Sequence, residues 1–464
     1  MPAFCGSRAR GACENRPMPA PDAHKSGLAL LLSGEQWKRR LALWGGGVAV
    51  ALAAIVFAKA SDAAFSMFRG VIAHSPLWAL LLTPLTFALL AWVTTRGLQT
   101  TRGSGIPQVI AGLDLPDDWR RHNLSLRVAV SKMTLTVLGL LGGASIGREG
   151  PTVHVGAAIM HSLGARFGFR DPQQGARFLL AGGAAGIAAA FNTPLAGVVF
   201  AIEELSGTFE HRFSGTLLTA VIVGGVVSLG LLGNYTYFGT VSTALPLGQG
   251  WLAVLACGLL CGVAGGLFSR LLLLAMDGRP RWLGALRTRH PVLLAGACGL
   301  VLAILGITLG AGAFGTGYAQ ARELLQGHAA VGESFGLVKF AANLVSYLAG
   351  IPGGLFSPAL AVGAGLGHNI AALLPGVDPT AVVLLGMCGY LTGVTQAPLT
   401  SEVITMELTD NSDMMLPILA TVLLARSASM LVCHTPVYKA LALRLLAAEP
   451  APAPRPPEEG KATT

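Results

Sequence analysis

Three short segments bounded by glycine and proline interrupt the hydrophobic stretches of this chain. They are Gly103-Ser104-Gly105-Ile106-Pro107, Gly147-Arg148-Glu149-Gly150-Pro151 and Gly353-Gly354-Leu355-Phe356-Ser357-Pro358. The sequence after each proline is helical in character, and proline is well tolerated in a first helical turn. The glycines let the backbone turn sharply and leave N–H groups uncovered. Because helix N-termini attract negative charge, three such helix starts brought together predict a site for an anion.

Glu149 lies at the second of these helix starts, between long apolar stretches. A carboxylate within a membrane is unfavourable unless it is paired or solvated, and a helix N-terminus is one environment that stabilises it. When ionised it competes with a free anion for the same N–H groups, and when protonated it loses that attraction. One side chain can therefore couple proton and anion occupancy; a plain N-terminal capping glutamate is the alternative. Arg148 is either a local partner or an interface residue, and we favour the latter.

Several other residues could complete such a site. The Ser104 hydroxyl can donate to a dehydrated anion, or it can belong to an ordinary turn serine. Leu355 and Phe356 would contribute backbone N–H groups, with the Phe356 ring shielding the site, although a phenylalanine is more often a core residue. Lys132 precedes Glu149 by seventeen residues. It either raises the positive potential along an anion path or extends its ammonium group to the membrane interface.

Glu203 and Glu204 are adjacent carboxylates at the end of an apolar run. Consecutive helical residues point about 100° apart, so the two side chains need not share an environment. One can be a paired structural group while the other faces an aqueous vestibule and relays protons. Alternatively, both are solvated at a helix end.

Two further motifs match enzyme patterns without the context that those enzymes require. Gly143-Ala144-Ser145-Ile146-Gly147, with His154 nearby, fits the serine-hydrolase pattern, which needs a strand–turn–helix elbow. Gly310-Ala311-Gly312-Ala313-Phe314-Gly315 fits a dinucleotide-binding pattern but lacks a βαβ unit around it. We therefore interpret neither motif as catalytic or nucleotide-binding.

The elements that position these residues are membrane helices. Of the 464 residues, 53% are hydrophobic and only 12% are charged, and the mean hydropathy is +0.62. Soluble domains contain about 25% charged residues. Apolar runs of spanning length recur at Leu41–Ala58, Leu77–Val93, Leu252–Met276 and Leu293–Leu309. The 61 glycines indicate broken helices, which are tolerated at membrane depth only where they are buried or line a cavity.

The net charge of +9 reflects topology and not nucleic-acid binding. Basic residues cluster between apolar runs, and the positive-inside rule places these clusters and the N-terminus in the cytoplasm. They are Arg8/Arg10/Arg16, Lys38/Arg39/Arg40, Arg120/Arg121/Arg127, Arg166/Arg170 and Arg279/Arg281/Arg287/Arg289. The seven cysteines are scattered without a ligand pattern, so we expect no metal site.

The chain contains a repeated pattern. Pro194 and Glu203 are separated by nine residues, as are Pro398 and Glu407. Two halves of about 200 residues, as in transporters built from inverted repeats, would explain this spacing. We expect a cytoplasmic segment over 1–40, membrane repeats over 41–247 and 248–447, and a disordered cytoplasmic tail over 448–464.

In these motifs the chain resembles the CLC family of chloride channels and chloride/proton antiporters. The resemblance covers residues 41–447 and depends on the three segments in order, followed by Tyr438 in His434-Thr435-Pro436-Val437-Tyr438. It implies an all-α polytopic membrane fold of tilted, broken helices in two inverted-topology repeats. It also implies a homodimer with one pathway per subunit. The C-terminal nucleotide-sensing domains of many eukaryotic members have no counterpart here, which suggests a bacterial type in the inner membrane.

The resemblance also implies roles for individual residues. Ser104 and Tyr438 would bind chloride through hydroxyls, and Leu355 and Phe356 through amides. Glu149 would be the external gate. Glu204 would transfer protons internally, which favours an antiporter over a passive channel, the alternative.

Lys132 matches a buried lysine of the family. Ser104 favours chloride over nitrate, whereas Glu402 departs from the small residue that is usual there. We expect no enzymatic activity and no cofactor, with chloride and protons as the transported ions and the lipid bilayer as the surroundings.

Overall fold

The fold was analysed in a computed structural model that describes residues 34–169, 171–207, 215–233, 236–245, 248, 250–327 and 331–449. The predicted cytoplasmic segment lies outside these residues up to position 33, and so does the predicted tail from position 450. The first helix begins at Gly34 and the last ends at Ala448. Residues 34–40, expected as part of a polar lead, therefore belong to the first helix.

The described chain is built from helices, with two isolated β-bridges and no β-strand in these residues. The helices are α1 (Gly34–His74), α2 (Ala79–Arg96), α3 (Ile106–Asp114), α4 (Asp117–Asn123), α5 (Leu126–Leu141), α6 (Glu149–Arg166), α7 (Pro172–Phe191), α8 (Pro194–Phe200), α9 (Gly215–Leu232), α10 (Gly250–Met276), α11 (Arg281–Arg289), α12 (Pro291–Thr308), α13 (Tyr318–Leu325), α14 (Phe335–Leu348), α15 (Phe356–Ala372), α16 (Pro379–Thr395), α17 (Pro398–Thr409), α18 (Met415–Val432) and α19 (Val437–Ala448). A π-helical turn, Ala201–Ser206, continues α8.

Six helical stretches of the described residues are long and apolar enough to cross a membrane. They are Gly34–His74, Pro76–Arg96, Asp117–Leu141, Gly250–Met276, Pro291–Thr308 and Met415–Val432. The four apolar runs identified in the sequence all fall within helices of this set, apart from the last residue of the fourth run, Leu309. The all-α membrane architecture predicted from the sequence is therefore confirmed.

The two halves use the same small-residue crossing at their centres. In the first half α6 packs against α7, and a Cβ atom at Gly156 would lie 2.2 Å from the Gly182 carbonyl oxygen. In the second half α15 packs against α16, and a Cβ atom at Gly363 would lie 2.4 Å from the Gly386 carbonyl oxygen. Only glycine permits such close backbone contact between helices. Most residues of these four helices are buried, and α6 and α15 begin at two of the three Gly/Pro segments.

The repeat is also visible in the lysines that precede these helices. Lys132 on α5 lies seventeen residues before Glu149, the first residue of α6. Lys339 on α14 lies seventeen residues before Phe356, the first residue of α15. Both lysine side chains are fully buried. The two halves therefore place a buried lysine at the same distance before equivalent helices.

Candidate functional site

The three Gly/Pro segments meet through backbone hydrogen bonds. The Gly147 N–H donates to the Gly354 carbonyl at 2.8 Å, and the Gly354 N–H donates to the Gly147 carbonyl at 2.7 Å. This reciprocal pair joins the starts of α6 and α15. The Gly353 N–H donates to the Gly103 carbonyl at 3.3 Å, which adds the segment before α3. Three helix N-termini therefore converge within the membrane-embedded part of the chain.

The segment before α3 requires glycine for two reasons. Gly103 and Gly105 have φ angles of 69° and 106°, a region that residues with a side chain rarely adopt. A Cβ atom at Gly105 would also lie 2.7 Å from the Cβ atom of His154. Ser104, held between them, is 1% exposed.

The Glu149 carboxylate spans the junction between two of these helices. Glu149 is the first residue of α6 and is 1% exposed. Its Oε1 atom accepts a hydrogen bond from the Ser357 hydroxyl at 2.5 Å, and its Oε2 atom accepts one from the Ser357 N–H at 3.4 Å. The carboxylate therefore occupies the N-terminus of α15, a position at which a free anion would also be stabilised.

Donors without partners lie beside this carboxylate. The N–H groups of a first helical turn have no intrahelical acceptor, and those of Leu355 and Phe356 have no backbone acceptor within the described residues. The Ser104 and Tyr438 hydroxyls are likewise buried without a partner there. The Phe356 and Tyr438 rings are stacked, with centroids 6.0 Å apart. Tyr438 interacts electrostatically with both Glu204 and Glu149.

The structure separates the roles of the adjacent glutamates. The Glu203 carboxylate accepts hydrogen bonds from the N–H groups of Leu399 (3.2 Å) and Thr400 (2.7 Å), in the first turn of α17. Glu203 is therefore a capping group. Glu204 makes no hydrogen bond with the described residues and is partly exposed.

The second half reproduces the Glu203 cap in the opposite direction. The Glu407 carboxylate accepts hydrogen bonds from the N–H groups of Leu195 (3.2 Å) and Ala196 (2.6 Å), in the first turn of α8. Each half thus caps a helix of the other half, which explains the matched nine-residue spacing. Glu402, the unusual acidic residue, is 7% exposed on α17 and interacts electrostatically with Glu203.

Arg148 is anchored to the first helix. Its Nη1 atom donates to the Asp62 carboxylate at 2.7 Å and to the Ala58 carbonyl at 3.0 Å. The Arg148 side chain is 10% exposed, and its carboxylate partner is Asp62, 86 residues away, and not the adjacent Glu149. These contacts fix the backbone immediately before Glu149.

The two buried lysines differ in how their N–H groups are used. The Lys132 ammonium group makes one hydrogen bond with the described residues, to the Gly103 carbonyl at 3.4 Å, and the side chain is fully buried. The Lys339 ammonium group donates to the carbonyls of Ala313 (3.2 Å), Phe314 (3.3 Å) and Gly315 (2.6 Å). The glycine-rich run 310–315, which resembled a nucleotide-binding motif, therefore supplies the carbonyl groups that accept hydrogen bonds from Lys339. The seventeen-residue spacing could have identified Lys339 from the sequence.

The second enzyme-like motif also has no catalytic geometry. The Ser145 hydroxyl and both ring nitrogens of His154 are buried and have no hydrogen-bond partner in the described part of the chain. The Ser145 N–H donates to the Ser346 hydroxyl at 3.1 Å. No hydrogen bond joins the Ser145 hydroxyl to the His154 ring among these residues.

Sequence reasoning overlooked Tyr347. This residue lies on α14, is 5% exposed, and its phenolic oxygen accepts a hydrogen bond from the Ser104 N–H at 3.1 Å. Nothing local in the sequence marks Tyr347, because its partner is more than 200 residues away.

Comparisons with known proteins agree with this arrangement. Two curated relatives named H(+)/Cl(-) exchange transporter ClcA cover most of the chain. The protein from Citrobacter koseri is 31% identical over 431 residues (87% of this chain, 88% of the relative), and that from Yersinia pestis is 32% identical over 430 residues (86% of each).

Solved structures share the fold. A slow cyanobacterial Cl-/H+ antiporter matches with a TM-score of 0.76 at 24% identity, covering 89% of this chain and 99% of that one. A eukaryotic CLC transporter matches with a TM-score of 0.74 at 23% identity, covering 88% of this chain and 74% of that one. Residues 86–430 match the profile of the voltage gated chloride channel family. The chain therefore belongs to the voltage gated chloride channel (CLC) family.

Proposed function

We propose that this protein is a proton-coupled chloride antiporter in which Glu149 exchanges with the transported anion. The observation that carries the proposal is the position of the Glu149 carboxylate on the Ser357 N–H and hydroxyl at the start of α15. An ionised carboxylate there excludes chloride, whereas a protonated one no longer binds as an anion. The names of the curated relatives support exchange of the same two ions.

Chloride would bind next to this carboxylate. The Leu355 and Phe356 amides and the Ser104 and Tyr438 hydroxyls supply donors that have no acceptor among the described residues. Donors fixed in advance replace the water that a dehydrated anion loses. No cofactor is needed for this exchange, and no bond is made or broken, so we propose a transporter without enzymatic activity.

Glu204 would exchange protons with the cytoplasmic side. Its carboxylate has no hydrogen-bond partner among the described residues, while the neighbouring Glu203 is committed to capping α17. Tyr438 interacts electrostatically with both Glu204 and Glu149, so one chloride ligand would respond to the charge of both proposed proton-carrying groups. A passive channel of the same fold is the alternative, and for it Glu204 would have no transport role.

The resemblance to the CLC family and the positions of the basic residues suggest the cellular setting. We propose a homodimer in the inner membrane, with one pathway per subunit, both termini in the cytoplasm and lipid around the exposed apolar faces. The basic segments between spans support this orientation.

Ion fluxes in liposomes test the proposal. Glu149→Gln should still move chloride but should lose proton movement and pH dependence, and Glu204→Gln should lose proton movement alone. Glu203→Gln is the matched control, because it alters a capping carboxylate one residue away, and it should retain coupling. Wild-type proton coupling in Glu149→Gln would overturn the role of Glu149, and chloride flux without proton movement in the wild type would favour the channel.

A further inference from the structure

The Tyr347 hydroxyl has an unused proton beside the proposed anion site. Its oxygen accepts the Ser104 N–H at 3.1 Å, and the side chain is buried. A phenol that accepts one hydrogen bond still has its own O–H to donate. That proton has no acceptor in hydrogen-bond geometry among the described residues. Since the Ser104 N–H already occupies a lone pair of the oxygen, the O–H must point away from that N–H.

Two further hydroxyls in the same place share this condition. The Ser104 and Tyr438 hydroxyls are buried and have no partner in the part of the chain that the structure describes. Tyr438 interacts electrostatically with Tyr347, and the Ser104 side chain interacts with both phenols. Three O–H groups on α14, α19 and the segment before α3 are therefore neighbours. Buried hydroxyls rarely remain without a partner in folded proteins.

An anion is the ligand that suits this cluster. It accepts several hydrogen bonds and brings no donor of its own, whereas a water molecule would bring two donors to a place already rich in donors. The Glu149 carboxylate is hydrogen bonded to Ser357 and does not fill this role.

We propose that Tyr347 is a third hydroxyl ligand of the transported chloride, alongside Ser104 and Tyr438. The inference rests on the proposed function and adds a ligand to it. Tyr347 acts in two ways: its oxygen holds the Ser104 N–H, and its O–H donates to the anion. Removal of this single oxygen should weaken chloride binding without disturbing the helices.

Chloride binding to the purified full-length protein, measured by isothermal titration calorimetry with potassium chloride, tests the inference. Tyr347→Phe should raise the chloride Kd by roughly tenfold or more, because a hydrogen bond to a charged group is lost. Tyr390→Phe is the matched control. Tyr390 is also fully buried with an unpartnered hydroxyl, but it packs against Phe340 and should leave the Kd unchanged.

The same substitution in a Ser104→Ala protein distinguishes direct chloride binding by Tyr347 from an indirect effect through the position of Ser104. If Tyr347 only positioned the Ser104 hydroxyl, Tyr347→Phe would have no further effect in a Ser104→Ala protein. A direct ligand should weaken binding in that background as well. A wild-type Kd in Tyr347→Phe, or no effect in the Ser104→Ala background, would overturn the inference alone. A wild-type protein that binds no chloride would overturn the proposed function together with it.

Discussion

Replacement of Gly147 by alanine should drive the Glu149 carboxylate from the start of α15. A Cβ atom at Gly147 would lie 2.4 Å from Glu149 Oε2, 3.1 Å from Pro358 Cδ and 3.3 Å from the Gly354 carbonyl oxygen. Ordinary contacts are about 3.5 Å, so the carboxylate oxygen must move by about 1 Å. The carboxylate is the far end of a flexible side chain and gives way more easily than the proline ring or the backbone.

The displacement should break the two hydrogen bonds from Ser357, at 2.5 and 3.4 Å. A hydrogen bond to a charged group contributes about 1.5–3 kcal/mol. Loss of one such bond lowers the occupancy of this position by the carboxylate roughly ten- to a hundredfold. Chloride efflux at neutral pH should rise toward its value at acidic pH, and proton coupling should be lost although Glu149 itself is unchanged.

Chloride efflux from liposomes, recorded with a chloride electrode at neutral and acidic pH, measures this effect. Gly70→Ala on α1 is a suitable control, because a Cβ atom there meets nothing within 4 Å. Wild-type coupling and pH dependence in Gly147→Ala would refute the reasoning. Loss of all chloride efflux from a folded Gly147→Ala protein would refute it as well, because the position would then be essential for the anion.

Three further predictions concern the residues around the site. Glu407→Gln removes part of a helix cap, so it should lower the free energy of unfolding by about 1–2 kcal/mol and with it the unfolding temperature in detergent. It should keep proton coupling, and a loss of coupling would contradict the capping role. Lys339→Met leaves three buried carbonyls without a donor and should lower the unfolding free energy by about 2 kcal/mol or more, which a wild-type unfolding temperature would disprove. Asp62→Asn should change the free energy of unfolding by about 1 kcal/mol or less, because the Asp62 side chain is 72% exposed. Arg148 should remain hydrogen bonded to α1, and a large loss of unfolding free energy would contradict this prediction.

The meeting of the three Gly/Pro segments could be predicted from the sequence because each carries a local signal. Glycine permits the turn and proline begins the helix, and neither depends on distant residues. Glu149 could be singled out for the same reason, as an acidic residue at a helix start in an apolar environment. The structure adds that the Glu149 carboxylate accepts a hydrogen bond from Ser357, which lies in the other half of the chain.

Other features depend on the relation between the halves and could not be predicted from local patterns. The matched nine-residue spacings could be seen in the sequence. The sequence did not indicate that Glu203 caps α17 or that Glu407 caps α8. Tyr347 is one aromatic residue within an apolar helix, and only the packing of α14 against the Ser104 segment reveals its partner. The Arg148–Asp62 pair was missed because Asp62 lies within the first helix, far from any motif.

Proton movement driven by chloride in the wild-type protein tests the central claim most directly. Liposomes containing the purified protein would be given an outward chloride gradient, with a pH electrode in the external solution. We predict that protons move into the liposomes against their own gradient while chloride leaves. Chloride efflux with no proton movement would contradict the account and would make this member of the family a passive channel.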